Sequence, residues 1–320
     1  MNDFKYSAVI RATKSSIYLN KTIESLLLQK ITPAEIIIVI PYGEDINISL
    51  TDDIPLKIVK APRGMVSQRA QGVLLANYNM LLLDADVYLG CGAVEILLWP
   101  IEIKKAHCVV PMGSYLKRTK LGRFLDIVFG IRIPRRQGGI SVTPGGGFFV
   151  PKDRFKLPYY ETEIGPGLAM ALSKEFAMNN NIIGDFRFEN KYIYAYLEDA
   201  AFVMDVVQKG GCALITDRAN LIHLDEGITR EKVPYQSFFA LRLYNHYLFF
   251  KFYIWPKKEN ILSKVNAIIL YLHFIFGNLF IEFLVGIKNI LISGSIVEMK
   301  YIGLGFLRFI FIVMKKEICK

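Results

Sequence analysis

Asn79-Met80-Leu81-Leu82-Leu83-Asp84-Ala85-Asp86 is the stretch on which the fold turns. An apolar run that ends in two carboxylates reads as a strand buried on both faces and opening into a loop. Upstream, Tyr6 to Ile10 (YSAVI) and Glu35 to Ile40 (EIIIVI) are short β-branched runs of the same kind, and Lys57 to Lys60 reads as a further strand. Between them, Leu19 to Gln29 (LNKTIESLLLQ) and Ser67 to Asn77 (SQRAQGVLLAN) carry apolar residues at helical spacing. Strands alternating with helices predict a doubly wound α/β domain. In such sheets ligands bind beyond the carboxyl ends of the strands, and Asp84 and Asp86 sit at one such end.

Farther along, a helix is expected at Gly92 to Trp99 and a strand around His107 to Pro111. A basic segment, Arg132 to Arg136 (RIPRR), leads into Gly145-Gly146-Gly147-Phe148. Tyr194 to Gln208 (YAYLEDAAFVMDVVQ) reads as a helix opened by the acidic pair Glu198-Asp199 and ended by Gly210-Gly211. A strand follows at Cys212 to Thr216, then Leu221-Ile222-His223-Leu224.

The whole chain has 320 residues, a net charge of +10 and a mean hydropathy of +0.31. Aromatic residues make up 13% of it, which excludes a disordered chain. Cys91, Cys108, Cys212 and Cys319 form no C-x-x-C pair, so a reducing compartment is expected rather than a disulfide scaffold. The opening residues, MNDFKYSAVIRATKSS, lack the apolar run and cleavage site of a signal peptide, and none is expected. The basicity is localised. Lys232 to Lys320 carries twelve Lys or Arg against four Glu and no Asp, a net of +8 that leaves +2 for the first 231 residues. The sequence therefore divides into residues 1–231, an α/β domain, and 232–320, a basic, hydrophobic helical region.

Several side chains could carry chemistry. Asp84 and Asp86 are oxygen donors of the type that hard divalent cations such as Mg²⁺ or Mn²⁺ take, with water and substrate phosphates completing the shell. Glu198-Asp199 at a helix start is also what the helix dipole favours without any catalytic role. His223, at a strand end, is a candidate metal ligand as a neutral imidazole. Arg132, Arg135 and Arg136 suit bidentate contact with a phosphate-bearing ligand, or a solvated loop.

Taken in order, these pieces resemble a family 2 glycosyltransferase with the GT-A fold, of the bacterial surface-polysaccharide type, over residues 4 to about 230. Val9-Ile10-Arg11-Ala12-Thr13 stands where that family has a strand and P-T-x-N. Pro62-Arg63-Gly64 with Gln68-Arg69-Ala70-x-Gly72 is similar to R-G-x-x-x-Q-R-N-x-G, and Asp84-Ala85-Asp86 to D-x-D. Gly145 to Phe148, with Pro151-Lys152, looks like the acceptor-side glycine segment. Leu197 to Phe202 resembles the late E-D motif, and Leu221-Ile222-His223 its closing histidine.

The resemblance implies an inverting, metal-dependent transferase working by direct displacement. Asp86 would ligate Mg²⁺ or Mn²⁺ on the diphosphate of a nucleotide-sugar, and Asp84 would face the ribose or share the metal. His223 would complete the metal site or touch the diphosphate. Arg69 would bond the base or phosphates, with Thr13 and Gly146 also in the nucleotide-sugar site. Asp199 would be the general base, supported by Glu198. Departures fall on the donor side: Val39-Ile40-Pro41-Tyr42-Gly43-Glu44-Asp45 replaces V-D-D-G-S, Arg11-Ala12-Thr13-Lys14 replaces P-T-x-N, and Arg69-Ala70 replaces Arg-Asn.

In the tail, Phe238 to Trp255 reads as an aromatic helix, Ile261 to Ile292 as a mostly apolar one, and Tyr301 to Met314 as another. Val265 to Val285 is long enough to cross a bilayer, which takes about 20 apolar residues. It also holds Asn266, His273, Asn278 and Glu282, which count against crossing. Helices lying in the interface are expected, with Lys257, Lys258, Lys264, Lys315 and Lys316 near anionic headgroups; one re-entrant or spanning helix, or a soluble helical subdomain, are the rivals. Nucleic acid is not expected as a partner, because the basic residues are interleaved with aliphatic runs. The expected partners are a nucleotide-sugar donor and a membrane-held, polyprenyl-diphosphate-linked glycan acceptor, at the cytoplasmic face of a bacterial inner membrane. A catalytically degenerate membrane-associated scaffold is the non-enzyme alternative. A sugar nucleotidyltransferase is the other, and it would need phosphate-loop glycines that Arg11 to Ser15 lacks.

Overall fold

The computed structural model describes residues 4–13, 17–48, 54–112, 119–153, 155–189, 197–224, 235–293 and 297–318. Lys14, the opening Tyr194-Ala195-Tyr196 of the expected acidic helix, and the boundary at Glu231 lie outside them, as do the side chains of Lys315 and Lys316. The chain divides into two compact units. The first comprises Met1–Tyr115, Arg136–Ile140 and Pro151–Arg230, and the second Leu116–Arg135, Ser141–Val150 and Glu231–Lys320. The second unit thus takes in two stretches that a single division at residue 231 assigns to the first.

In the first unit the elements follow as β1 (Tyr6–Arg11), α1 (Ile17–Leu27), β2 (Glu35–Pro41), β3 (Leu56–Ala61), α2 (Met65–Leu75), β4 (Asn79–Asp84), β5 (Val87–Leu89), α3 (Ala93–Glu102) and β6 (Cys108–Pro111). After residues that belong to the second unit, where α4 and β7 to β9 fall, come β10 (Tyr160–Glu161), β11 (Ala169–Leu172), α5 (Lys174–Asn179), α6 (Glu198–Gln208), β12 (Ala213–Thr216) and β13 (Leu221–His223). The main sheet runs β10-β12-β6-β11-β4-β1-β2-β3. β3, β2, β1 and β4 are mutually parallel, whereas β11 is antiparallel to both β4 and β6. It is a mixed α/β sheet.

The central strands form because their residues have nowhere else to go. Every residue of β2 is buried, and so are Tyr6 to Ile10 of β1, a pattern that only a strand covered on both faces satisfies. Helix α2 packs on β1, β2 and β3. Its Gln68 donates to the carbonyls of Ala12 at 2.7 Å and Val39 at 2.8 Å, clamping the carboxyl ends of β1 and β2 together. Glu35, opening β2, is the buried polar knot at the other end. It accepts from Ser7 Oγ at 2.7 Å, Lys57 Nζ at 2.7 Å, the Asn77 amide at 2.7 Å and Asn77 Nδ2 at 2.9 Å. Helix α6 opens at Glu198 and ends before Gly210, whose φ of 81° is the left-handed turn expected after a helix.

In the second unit, α4 (Lys120–Val128) is followed by β7 (Arg132–Arg135), β8 (Ser141–Val142) and β9 (Phe148–Pro151), which form a small sheet in the order β7-β9-β8. Then come α7 (Tyr235–Phe249), α8 (Ile261–Ser293) and α9 (Val297–Ile318). The expected Phe238 to Trp255 helix is α-helical only to Phe249; a π-helical turn, Phe250–Ile254, and a 3₁₀ turn, Trp255–Lys257, complete it. Phe129, Phe239, Leu243, Phe274 and Ile275 form the core of this unit. Glu282 on α8 is not a bare charge. Arg242 of α7 donates to it at 2.7 Å and to Asn278 Oδ1 at 2.7 Å. Ile261–Lys288 is one helix long and apolar enough to cross a membrane, with a mean hydropathy of 2.0 over its most apolar window and only 17% of that window buried.

Burial alone would raise the Glu35 carboxyl, but the hydrogen bonds from Lys57, Ser7 and Asn77 outweigh it and hold the pKa below the ordinary glutamate value. A depressed folded-state pKa stabilises the fold above the unfolded pKa and loses that contribution as pH falls through the folded one. Glu35→Gln is therefore expected to cost about 1–3 kcal/mol at pH 7, with the difference from the parent narrowing below about pH 4. Urea unfolding at the two pH values measures both.

Candidate active site

Sheet register decides which side chains meet. β1 and β4 pair in parallel with Arg11 opposite Asp84, so an arginine and a carboxylate leave the same sheet edge side by side. Arg11 Nε donates to Asp84 Oδ1. Its Nη1 donates to Glu198 Oε1 at 2.7 Å, and its Nη2 lies 3.9 Å from Asp199 Oδ1. From α2, Arg69 donates to Glu198 Oε2 through Nη1, and through Nη2 to Glu198 Oε1 at 3.3 Å and Asp199 Oδ1 at 2.7 Å. Its guanidinium stands 5.5 Å from the Phe202 ring centroid. Two guanidiniums and three carboxylates from β1, α2, β4 and α6 thus form one cluster.

Exposure separates the members. The side chains of Glu198 and Arg69 are 1% and 4% exposed, Arg11 is 9% exposed, and Asp199 is 28% exposed. Asp84 is 19% exposed, so Asp199 is the most open carboxylate of the three. Two backbone features put it there. Leu197, just before α6, has φ 66° and ψ 7°, a left-handed conformation that is strained for a branched, bulky residue. Gly167 passes so close that a Cβ there would fall 1.9 Å from Asp199 Oδ1. A small cleft, no larger than a water molecule or so, is lined by Arg11, Arg69, Asp84 and Gly167 with Val9, Leu82 and Leu83.

Three carboxylates against two guanidiniums leave one negative charge unpaired in a buried place, and such a cluster relieves itself by taking a proton. Burial pushes the Glu198 carboxyl up, with Arg69 and Arg11 opposing the rise and Asp199 adding to it. Burial acts on Asp199 in the same direction, but Arg69 and Arg11 outweigh it and hold Asp199 below the ordinary aspartate value. Asp84 is raised by burial even against Arg11. The two neighbours are thus pushed in opposite directions, Glu198 toward the protonated acid and Asp199 toward the carboxylate.

A second pairing lies on the two-stranded sheet of β5 and β13, where His223 stands opposite Val87 and the Leu224 amide donates to the Asp86 carbonyl at 2.7 Å. This ribbon brings His223 Nε2 to 3.2 Å from Asp86 Oδ2. Among the described residues no group of three or more His, Cys, Asp or Glu could hold a metal ion. The donor set is therefore one carboxylate and one imidazole, with Asp84 turned to Arg11. Such a pair suits a divalent ion that completes its shell from phosphate oxygens and water.

The other residues singled out in the sequence fall as follows. Thr13 is half-buried just beyond β1. Arg69 is spent on Glu198 and Asp199 rather than left open for a donor. The amide of Ser67, in the first turn of α2, is taken by Glu189 Oε2 at 2.5 Å. Gly146 belongs to the second unit, in a turn closed by its amide to the Thr143 carbonyl at 3.0 Å. Arg132 and Arg135 are on β7, and Arg135 donates to Ser141 Oγ at 3.1 Å. Arg11 and Gly167 were not singled out. An arginine closing an otherwise apolar strand was the available signal for the first; nothing local marks the second.

No family model matches the chain, and no curated protein matches it by sequence. Solved structures do. A crystal structure of Staphylococcus aureus TarS 1–349 in complex with UDP-GlcNAc matches with TM-score 0.55 and 13% identity, covering 96% of this chain and 81% of that one. Another of TarS 1–349 gives 0.53 and 12% over 96% and 80%. GalNAc-T7 with UDP, GalNAc and Mn²⁺ gives 0.49 and 16%, covering 74% of this chain; the chain spans 47% of the length of GalNAc-T7. The likeness is one of fold, the GT-A fold.

Removing Glu198 should expose what the cluster is worth. Glu198→Ala is expected to cost about 3–5 kcal/mol, because two buried guanidiniums lose their shared partner, whereas Glu198→Gln, close in shape to the protonated acid, costs less. A raised folded-state pKa gives stability that is full below the unfolded value and lost as pH rises through the folded one. The advantage of Glu198 over Gln is therefore expected to shrink from about pH 4.3 upward into the neutral range. Denaturant titrations across that window test the sign.

Proposed function

We propose that the chain is an inverting, metal-dependent glycosyltransferase that moves a sugar from a nucleotide-sugar donor to a membrane-held acceptor, a polyprenyl-diphosphate-linked glycan. The observation that carries the reading is a division of labour: a partly exposed carboxylate held by guanidiniums, Asp199, and a separate oxygen and imidazole pair, Asp86 and His223. The fold shared with TarS, whose crystal structure holds UDP-GlcNAc, supports a nucleotide-sugar as donor.

Asp199 accepts the proton of the acceptor hydroxyl as its oxygen attacks the anomeric carbon and the nucleotide leaves from the opposite face. One base suffices and no covalent intermediate forms. Arg69 and Glu198 act through Asp199, fixing its rotamer and keeping it ionised. Arg11 holds Asp84 and Glu198 in register, so β4 and α6 present their carboxylates together. Asp86 and His223 would hold the divalent ion, with Asp84 facing the ribose side of the donor. When bound, that ion supplies Lewis-acid neutralisation of the charge developing on the departing diphosphate. Thr13 is proposed to contact the donor. A scaffold without activity has no use for five ionisable groups gathered in one buried cluster, since such clusters seldom add net stability.

Asp199→Asn is expected to lower transfer at least ~100-fold, the usual scale of a lost general base, with donor affinity by calorimetry nearly unchanged. Asp86→Ala should remove both activity and its response to Mn²⁺. Because Arg69 and Arg11 hold Asp199 down, the acid limb of kcat/KM is expected below the ordinary aspartate value near 3.9. Arg69→Gln should move that limb to higher pH; an unmoved limb would discard the assignment of Asp199 as base. Released nucleotide, measured with membranes as the acceptor source, is the assay.

A further inference from the structure

Helix α8 is apolar on both sides. Ala267, Phe274 and Asn278 face the core of the second unit, while Leu262, Ile269, Leu272, Phe276 and Phe283 form a stripe at helical spacing that is 43–79% exposed. Such a stripe on a chain with +8 in residues 232–320 has one fitting partner, the hydrocarbon boundary of an anionic bilayer. Length alone would let the helix cross it: 28 residues span about 42 Å at 1.5 Å per residue.

What packs against the middle of α8 decides between lying and crossing. The backbone of Gly145 runs so close to Leu270 that a Cβ there would sit 2.7 Å from the Leu270 carbonyl oxygen. Gly277 is equally tight against Phe129, and His273 Nε2 lies 2.9 Å from the Val128 carbonyl. The Phe129 ring is 6.0 Å from Phe276 and 5.7 Å from Phe280. The centre of the apolar segment therefore carries the end of α4 and the turn before β9. Were α8 to cross, these would sit at the bilayer midplane with the exposed Lys120 and Arg123 of α4. Exposed charges are costly in lipid at that depth.

Helix α4 has its own surplus. Leu121, Phe124 and Val128 are 64%, 60% and 46% exposed on one face, and the Val128 and Phe129 contacts join that face to the stripe of α8. We propose that the second unit is a monotopic membrane anchor. α8 lies in the plane of an anionic bilayer surface with its stripe inward, and α4 enters the same interface through Leu121, Phe124 and Val128. The proposal deepens the membrane-held acceptor of the functional reading and rests on it only for the acceptor's location.

The test reads topology, not sugar transfer, so its failure is separable from failure of the transferase reading. Full-length chain carrying Lys264→Cys or Lys288→Cys, each with Cys91→Ser and Cys319→Ser, is expressed and labelled with a membrane-impermeant maleimide. Both positions should be silent in intact spheroplasts and labelled after lysis; labelling of either one from outside overturns the proposal. In flotation with phosphatidylglycerol–phosphatidylethanolamine vesicles, Leu121→Asp with Phe124→Asp should lower the bound fraction roughly ten-fold or more, with the unfolding midpoint unchanged. Unchanged flotation, or a parent chain that ignores vesicles and elutes as a dimer closed over this face, also overturns it.

Discussion

A guanidinium cannot give up its charge inside a protein, so an arginine at the end of a buried central strand compels its surroundings to supply carboxylates. Arg11 is that residue. Its demand is met by Asp84 across the β1–β4 pair and by Glu198 from a helix almost two hundred positions later. Arg69 makes the same demand from α2, and the two share Glu198. Four elements that the hydrophobic core would hold only approximately are thereby fixed to within a hydrogen bond at one sheet edge. Asp199 inherits its position and its lowered pKa from that arrangement, as the most solvent-exposed member of it.

The frame of the first unit was legible because of burial on both faces. Strands such as EIIIVI and NMLLL have no polar face to blur them, and they alternate with helices of clear period. Asp84, Asp86, Glu198, Asp199 and His223 stood out for the same reason: charged or ligating groups at the ends of apolar elements. Their grouping was not legible. Asp86 reaches His223 through a ribbon of two three-residue strands, too short to give a period. β11 enters antiparallel between β4 and β6, a choice made by pairing far along the chain. Arg11 looked like a departure from a motif, and only the register of β1 against β4 gives it a partner.

The tail posed the opposite problem, since its composition was plain and its organisation hidden. A helix that is apolar on its inner face and apolar on its outer face has little periodicity, so sequence cannot say which face is core. Glu282 and Asn278 looked like obstacles to crossing a bilayer. Their partner, Arg242, comes from another helix and turns them inward, where they cost the outer face nothing. The segment of 120–128 gave no sign that it belonged with the tail, because the contacts that bind it there run through Phe129 and Gly277.

Hydropathy alone treats α8 as a span, and a span is judged by what surrounds its midpoint. Lipid there disfavours exposed charge, whereas here the end of a helix carrying exposed Lys120 and Arg123 packs against it. The same apolar stripe laid flat needs no such concession: one face meets hydrocarbon along the whole length, the other meets protein, and the lysines and arginines remain at headgroup depth. On the proposed reading, the coincidence of high hydropathy with high positive charge has a single physical origin, a helix bounded on one side by lipid and flanked by charges that attract an anionic surface.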